Sequence, residues 1–253
     1  MVSASSLGVK SATFKLVESA IQHKKLNQSS SAAPLQRLAL LAKQGDPSAM
    51  VIQGKALSLQ GKNAEASKWY CAAIDVGDFD GLGEALTLES ALLRGRKDDV
   101  GAEKLIRRAA LELDDPLAYF KLSEFVPEGS PEQTKYLLKA ASSGISAACH
   151  KLGVLEMQKI KALPREVKGV DGLIGAMKTG HEVRVHASEL RMAIAWFEVA
   201  AEEGNGESML ILAVLLQAAG FEKEALKSLA MAEALQDLGI TKRCKMIREQ
   251  WER

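Results

Sequence analysis

The chain has 253 residues, with 33 Lys and Arg against 32 Asp and Glu, a formal charge of +1, and 47% hydrophobic residues. That apolar content suffices for a large core and excludes a polar, disordered chain. The balanced charge offers no overall attraction to nucleic acid or anionic lipid. With 5% aromatic residues and 6 Pro, in a chain dominated by Ala, Leu, Lys and Glu, helix is favoured over β-sandwich or barrel.

Residues 1–44 are basic and Ser-rich, with Lys10, Lys15, Lys24, Lys25, Arg37 and Lys43 against Glu18. Phe14, Val17 and Ile21 form one apolar helical stripe, which predicts an N-terminal helix followed by a linker at Ser29 to Ser31. Two readings of this segment stand, a helix capping whatever follows or a mitochondrial-type targeting helix. No compact apolar core follows the first basic residue, so a secretory signal is not expected. The longest apolar run, MLILAVLL over 209–216, is far shorter than the ~20 residues that cross a bilayer.

From residue 45 the chain repeats. Trp69-Tyr70-Cys71-Ala72-Ala73 ends at Gly77, Tyr136-Leu137-Leu138-Lys139-Ala140 at Gly144, and Trp196-Phe197-Glu198-Val199-Ala200 at Gly204. In each, Ala follows the leading aromatic at +4 and Gly at +8. Weaker copies start at Leu105 and Ser228, so the starts at 69, 105, 136, 196 and 228 are spaced 36, 31, 60 and 32 apart. A second landmark keeps step. Gly45, Gly77, Gly144 and Gly204 stand four residues before Ala49, Gly81, Ala148 and Ser208, with Asp114 and Ala118 filling those places in the third copy.

Small residues at i and i+5 let a neighbouring helix approach closely, and a glycine after the second helix accepts the left-handed conformation that ends it. Two short helices cannot enclose a core alone, so such units must stack. Trp69, Tyr136 and Trp196 are accordingly predicted to be buried between successive pairs. Cys71, Cys149 and Cys244 lie too far apart for a disulfide framework. They are read as small buried hydrophobes in a reducing, intracellular, cytoplasmic setting, with a mitochondrial one as the alternative.

The stretches Ala148-Cys149-His150-Lys151-Leu152-Gly153 and Ala195-Trp196-Phe197-Glu198-Val199-Ala200-Ala201 resemble Sel1-like repeats, relatives of tetratricopeptide repeats whose pattern runs AxxxLGxxY and then KAxxWYxxAAxxG. The family's Tyr place holds Leu57, Val126, Glu156 and Leu216 here, and its GxG turn is absent. The resemblance implies an all-α, right-handed α-α solenoid of about five helix pairs over residues 45–239. It also implies a non-enzymatic role as adaptor, scaffold or assembly factor for a protein or peptide partner.

In tetratricopeptide-like arrays the first helix of each pair lines the concave face. Six residues past the small landmark stand Lys55, Thr87, Glu124, Val154 and Val214, which with His150, read as a surface histidine, are the expected partner-binding residues. Their mixed chemistry argues against a clamp for acidic peptide tails. A base-reading RNA array is the alternative function, but this column holds only Lys55 as a cation.

Residues 163–188 interrupt the fourth repeat. Gly169, Gly172, Gly175 and Gly180 match neither phosphate-loop spacing, and His181, Glu182 and His186 do not make HExxH. The segment is expected to project from the array without contributing to its core. No catalytic residue, cofactor or metal ligand set emerges anywhere in the chain.

Residues 240–253 close it. Ile240, Cys244, Ile247 and Trp251 form one apolar stripe of a basic helix, predicted to cap the open side of the last pair with Thr241 as its N-cap. The alternative is a basic helix reserved for a partner or a membrane surface.

Overall fold

The computed structural model describes residues 10–159 and 191–251; the 163–188 insertion, with its glycines and His181, Glu182 and His186, lies outside the described residues. Among the described residues there are thirteen helices and no strand. Cα packing divides the chain into two compact units, residues 1–118 and 119–253.

The first unit holds α1 (Lys10–Gln22), α2 (Ser29–Lys43), α3 (Pro47–Leu59), α4 (Asn63–Val76), α5 (Leu82–Gly95) and α6 (Asp99–Leu111). The division falls inside the short α7 (Pro116–Leu122). The second unit holds α8 (Pro131–Ser142), α9 (Ser146–Lys159), α10 (Arg191–Glu202), α11 (Gly206–Ala218), α12 (Glu222–Ala234) and α13 (Leu238–Trp251). Within each unit every helix packs on the next, so the all-α, paired-helix class is what the chain adopts.

Local chemistry explains where pairs begin and end. A residue with positive φ closes one pair and a short polar side chain caps the next, at Gly45-Asp46, Asp114-Asp115, Gly204-Asn205 and Gln236-Asp237. Asp46, Asp115 and Asn205 accept the backbone N–H of Ala49, Ala118 and Ser208 at 3.0, 2.8 and 2.9 Å. The small landmark four residues after the glycine is therefore the third residue of a capped helix. It is small because it is fully enclosed, as Ala49, Ala118, Ala148 and Ser208 all are.

The second copy departs from this register. Gly81 is not inside a helix: at φ 111 it sits at the N-cap of α5, and the enclosed small residue is Ala85, eight residues after Gly77. Leu86, Glu89 and Ser90 then occupy the places of Cys149, Leu152 and Gly153. Residues 78–81 are an addition to the repeat.

The burial of the leading aromatics is corrected by one residue. Tyr136 is enclosed, but Trp69 and Trp196 are only half-buried. The column enclosed in all five pairs is the next one, Tyr70, Ile106, Leu137, Phe197 and Leu229, with Ala73, Ala109, Ala140, Ala200 and Ala232 one turn on. Residues three and four before an alanine share its helical face, so the sequence pattern fits either column equally well. The enclosed aromatics are opposed by glycines. A Cβ at Gly54 would lie 2.4 Å from Tyr70 Cε1, and one at Gly153 would lie 2.8 Å from Phe197 Cε1.

Three further expectations are corrected. Ser29 to Ser31 do not form a linker but begin α2, whose Pro34, Leu38 and Ala42 are buried. Cys71 is exposed, unlike Cys149 and Cys244. Thr241 is not an N-cap: α13 starts at Leu238, where the Asp237 carboxylate accepts the Ile240 N–H at 2.9 Å.

The apolar stripe of α13 is enclosed at Ile240, Cys244 and Ile247, against a core supplied mainly by α11, which is buried continuously from Ser208 to Leu215. A helix apolar all round needs cover on every side, and α13 packs on both α11 and α12. Removing residues 238–253 is expected to make the protein aggregate or to lower its melting temperature by several degrees. An unchanged, monomeric melt would contradict the capping role.

Candidate functional site

The face of the first unit made by α1, α3 and the start of α5 carries a groove of about 270 Å³. Val51 and Ile52 on α3 lie enclosed beneath it, so its apolar contact surface is the half-buried rings of Phe14 on α1 and Phe79 before α5, packed against the same core. Glu18, Asp80 and Glu84 rim it, all exposed, with Ser48 and Gly81 completing the wall. Phe79, Asp80 and Gly81 come from the four residues added to the second copy. Glu84 is held by Lys55, Nζ to Oε1 at 2.6 Å. No ion pair is formed by Glu18 or Asp80 with any described residue.

Lys55, first of the sequence-predicted partner residues, thus pairs with one residue of this groove without lining it. The others are dispersed. Thr87 is half-buried, its hydroxyl is enclosed, and the register shift puts Ala91 in its expected place. Glu124 lies beyond the end of α7, exposed, 3.7 Å from Lys121 Nζ. Val154 is half-buried against the second unit's core, and Val214 is enclosed within it at 2% exposure, out of a partner's reach.

His150 is not a surface histidine. Its Nδ1 makes a 2.8 Å hydrogen bond with Ser208 Oγ, and its ring lies edge-on to Phe197 at 5.7 Å. It is a packing element between α9 and α11. Burial pushes its pKa below the ordinary 6.5, only partly opposed by Glu207. The unfolded chain then takes up a proton at a higher pH than the folded one. Stability from this site is full above pH 6.5 and is lost as pH falls through that value towards the depressed folded one. His150→Gln is therefore expected to flatten the decline in urea midpoint between about pH 7.5 and 5.5. Parallel declines in wild type and variant would contradict this.

A second polar cluster joins α4 to α5. Ser67 Oγ donates to Glu89 Oε1 at 2.6 Å, and Arg96 reaches Ser67 Oγ at 3.4 Å and the Asn63 carbonyl at 3.3 Å. Glu89 is 3% exposed and its Oε2 has no hydrogen-bond partner. Burial raises its pKa, against the Ser67 hydrogen bond and Arg96. The neighbouring Cys71 is exposed as a residue, but partial desolvation of its thiol, and then Glu89, raise its pKa as well. A raised thiol stays protonated and is a poor nucleophile, so this cluster reads as a clamp between helices. Among the described residues no group of three or more His, Cys, Asp or Glu is placed to hold a metal. No helix among them is long and apolar enough to cross a membrane.

The sequence reading missed Phe79 and Asp80 because Gly81 satisfied the landmark spacing. The available signal was Ala85, eight residues after Gly77 and followed by Leu86 and Ser90 at the repeat's own offsets.

No protein-family model matches the chain, and no curated protein matches it. Among solved structures it is similar to a protective antigen present in uropathogenic Escherichia coli strains, described as displaying an SLR fold. The two are 19% identical with a TM-score of 0.48 over 92% of this chain and 55% of that one, so this chain spans about half that structure's length. It is also similar to a Sel1 repeat protein from Oxalobacter formigenes, at 19% identity and a TM-score of 0.46, over 87% of this chain and 96% of that one.

Proposed function

We propose that the protein is a non-enzymatic adaptor or scaffold that binds a peptide or a domain on the surface of its helix pairs. The observation that carries this reading is the groove of the first unit. An open trough with two aromatic rings in its lining and a charged rim, built from side chains of three helices and a loop, suits an extended partner segment. It is made where the repeat is broken, which is where a chain departs from its packing rules for a purpose. The acidic rim works against the RNA alternative, since phosphates would be repelled. An exposed, unpaired Cys71 fits a reducing, intracellular setting.

A photo-crosslinking residue placed at position 80 tests the reading, with position 100 on α6 as the exposed control. The expected result in native extract is an adduct from position 80, mapping to one segment of one partner, and none from position 100. Equal labelling from both positions, or none, would contradict it.

A further inference from the structure

We propose that the occupant of this groove is a basic peptide segment carrying one large apolar residue between Lys or Arg side chains. The inference rests on the adaptor reading and specifies its ligand. Three observations lead to it.

The first is size. At about 270 Å³ the groove lies just below the roughly 300–1,000 Å³ of small-molecule pockets, leaving room for a single bulky side chain against the half-buried rings of Phe14 and Phe79. The second is charge. Three carboxylates line the groove with these rings and only Glu84 has its cation, Lys55, so Glu18 and Asp80 present unpaired negative charge in the same groove as the two rings. Complementary charge steers and aligns such a ligand more than it adds raw affinity, and like charge is rejected. The third is that the chain itself places a cation beside this surface. The Lys10 ammonium pairs with the Asp46 carboxylate and lies 5.5 Å from the centroid of the Phe14 ring, one of the groove's walls. An aromatic face next to a carboxylate is a favourable seat for a Lys or Arg side chain.

The added residues 78–81 supply both the ring of Phe79 and the carboxylate of Asp80. The four-residue addition thus provides an apolar contact and a charge together, which a spacer alone would not need.

A phage-displayed library of random peptides of about twelve residues, selected against the full-length protein, tests this. The selected peptides are expected to be enriched in Lys and Arg flanking a Leu, Phe, Trp or Met. Their binding, read by fluorescence anisotropy, is expected to weaken about tenfold or more in Glu18→Lys/Asp80→Lys and to fall with added salt. Phe79→Ala is expected to weaken the same peptides without changing their salt dependence. Glu18 and Asp80 are exposed, so the doubly reversed variant should keep the wild-type melt, which circular dichroism checks.

Peptides with acidic or neutral flanks, binding that survives the double reversal, or a selection that yields nothing would each overturn the inference. An adduct from position 80 to an acidic partner segment would overturn this ligand while leaving the adaptor reading in place. Absence of that adduct would remove both.

Discussion

Truncating Phe197 to Ala is expected to cost about 3–5 kcal/mol, whereas Trp196→Ala, one residue earlier and larger, should cost distinctly less. Phe197 is fully enclosed in the core of the second unit, among Met209, Ala213 and Leu229. The Trp196 indole stands on the flank of the same helix and is only half-buried. Removing an enclosed ring forfeits its transfer free energy and leaves a cavity that neighbours fill only partly. Removing a flank ring forfeits part of the first term and little of the second. Urea unfolding of the two variants, followed by circular dichroism, measures the difference. A larger loss for Trp196→Ala would contradict the enclosed position of Phe197.

Gly153→Ala should destabilise by about 1–3 kcal/mol, although alanine is the better helix former. The new methyl would stand 2.8 Å from Phe197 Cε1 and 2.9 Å from Cζ, closer than real Cβ contacts allow, and the ring is fully enclosed. The chain shows how the strain would be relieved. Where the second helix offers the aliphatic Leu229, the place of Gly153 is taken by Ala213. Where it offers Ile106 or Leu137, that place is taken by Ser90 or Ser123. Glycine occurs only opposite the aromatic rings, at Gly54 with Tyr70 and at Gly153 with Phe197. Gly153→Ala combined with Phe197→Leu should therefore lose less than the sum of the two single changes, by about 1 kcal/mol or more in a double-mutant cycle. Strict additivity would show that these two positions do not share one space.

Much of this packing was legible because it recurs. Ala at +4, the closing glycine and the small residue that follows are set by helix geometry and backbone sterics, so they repeat wherever a pair repeats. All five enclosed alanines, and the positive φ at Gly45, Gly77, Gly144 and Gly204, follow that pattern. The apolar stripe of α13, enclosed at Ile240, Cys244 and Ile247, is legible from its helical spacing alone. What escaped was decided by contacts between distant residues. An alanine cannot say whether its packing partner stands three or four residues back, so the sequence pattern fits Trp69 and Trp196 as well as the enclosed Tyr70 and Phe197. The Ser-rich composition at 29–31 reads as a linker, yet burial of Pro34, Leu38 and Ala42 makes it the start of a helix. His150 looks solvated until Ser208, 58 residues away, is brought to its ring. Asp46, Asp115 and Asn205, each directly after a chain reversal, are the short polar side chains that N-caps favour.

The groove of the candidate site was illegible for a related reason: it is made by an exception. Five residues, 78–82, stand where another junction of this chain uses one, since Gly204-Asn205-Gly206-Glu207-Ser208 runs directly from closing glycine to enclosed small residue. Replacing residues 78–82 by a single Asn would give the second copy that same run, from Gly77 through Gly83 and Glu84 to Ala85. Partner crosslinking and selected-peptide binding by this variant, beside its thermal melt, test most directly whether the broken repeat makes the binding surface. The expected result is a helical protein with a cooperative melt that no longer binds. Binding at wild-type strength would contradict the role of the groove, and loss of the fold would contradict the repeat register on which it rests.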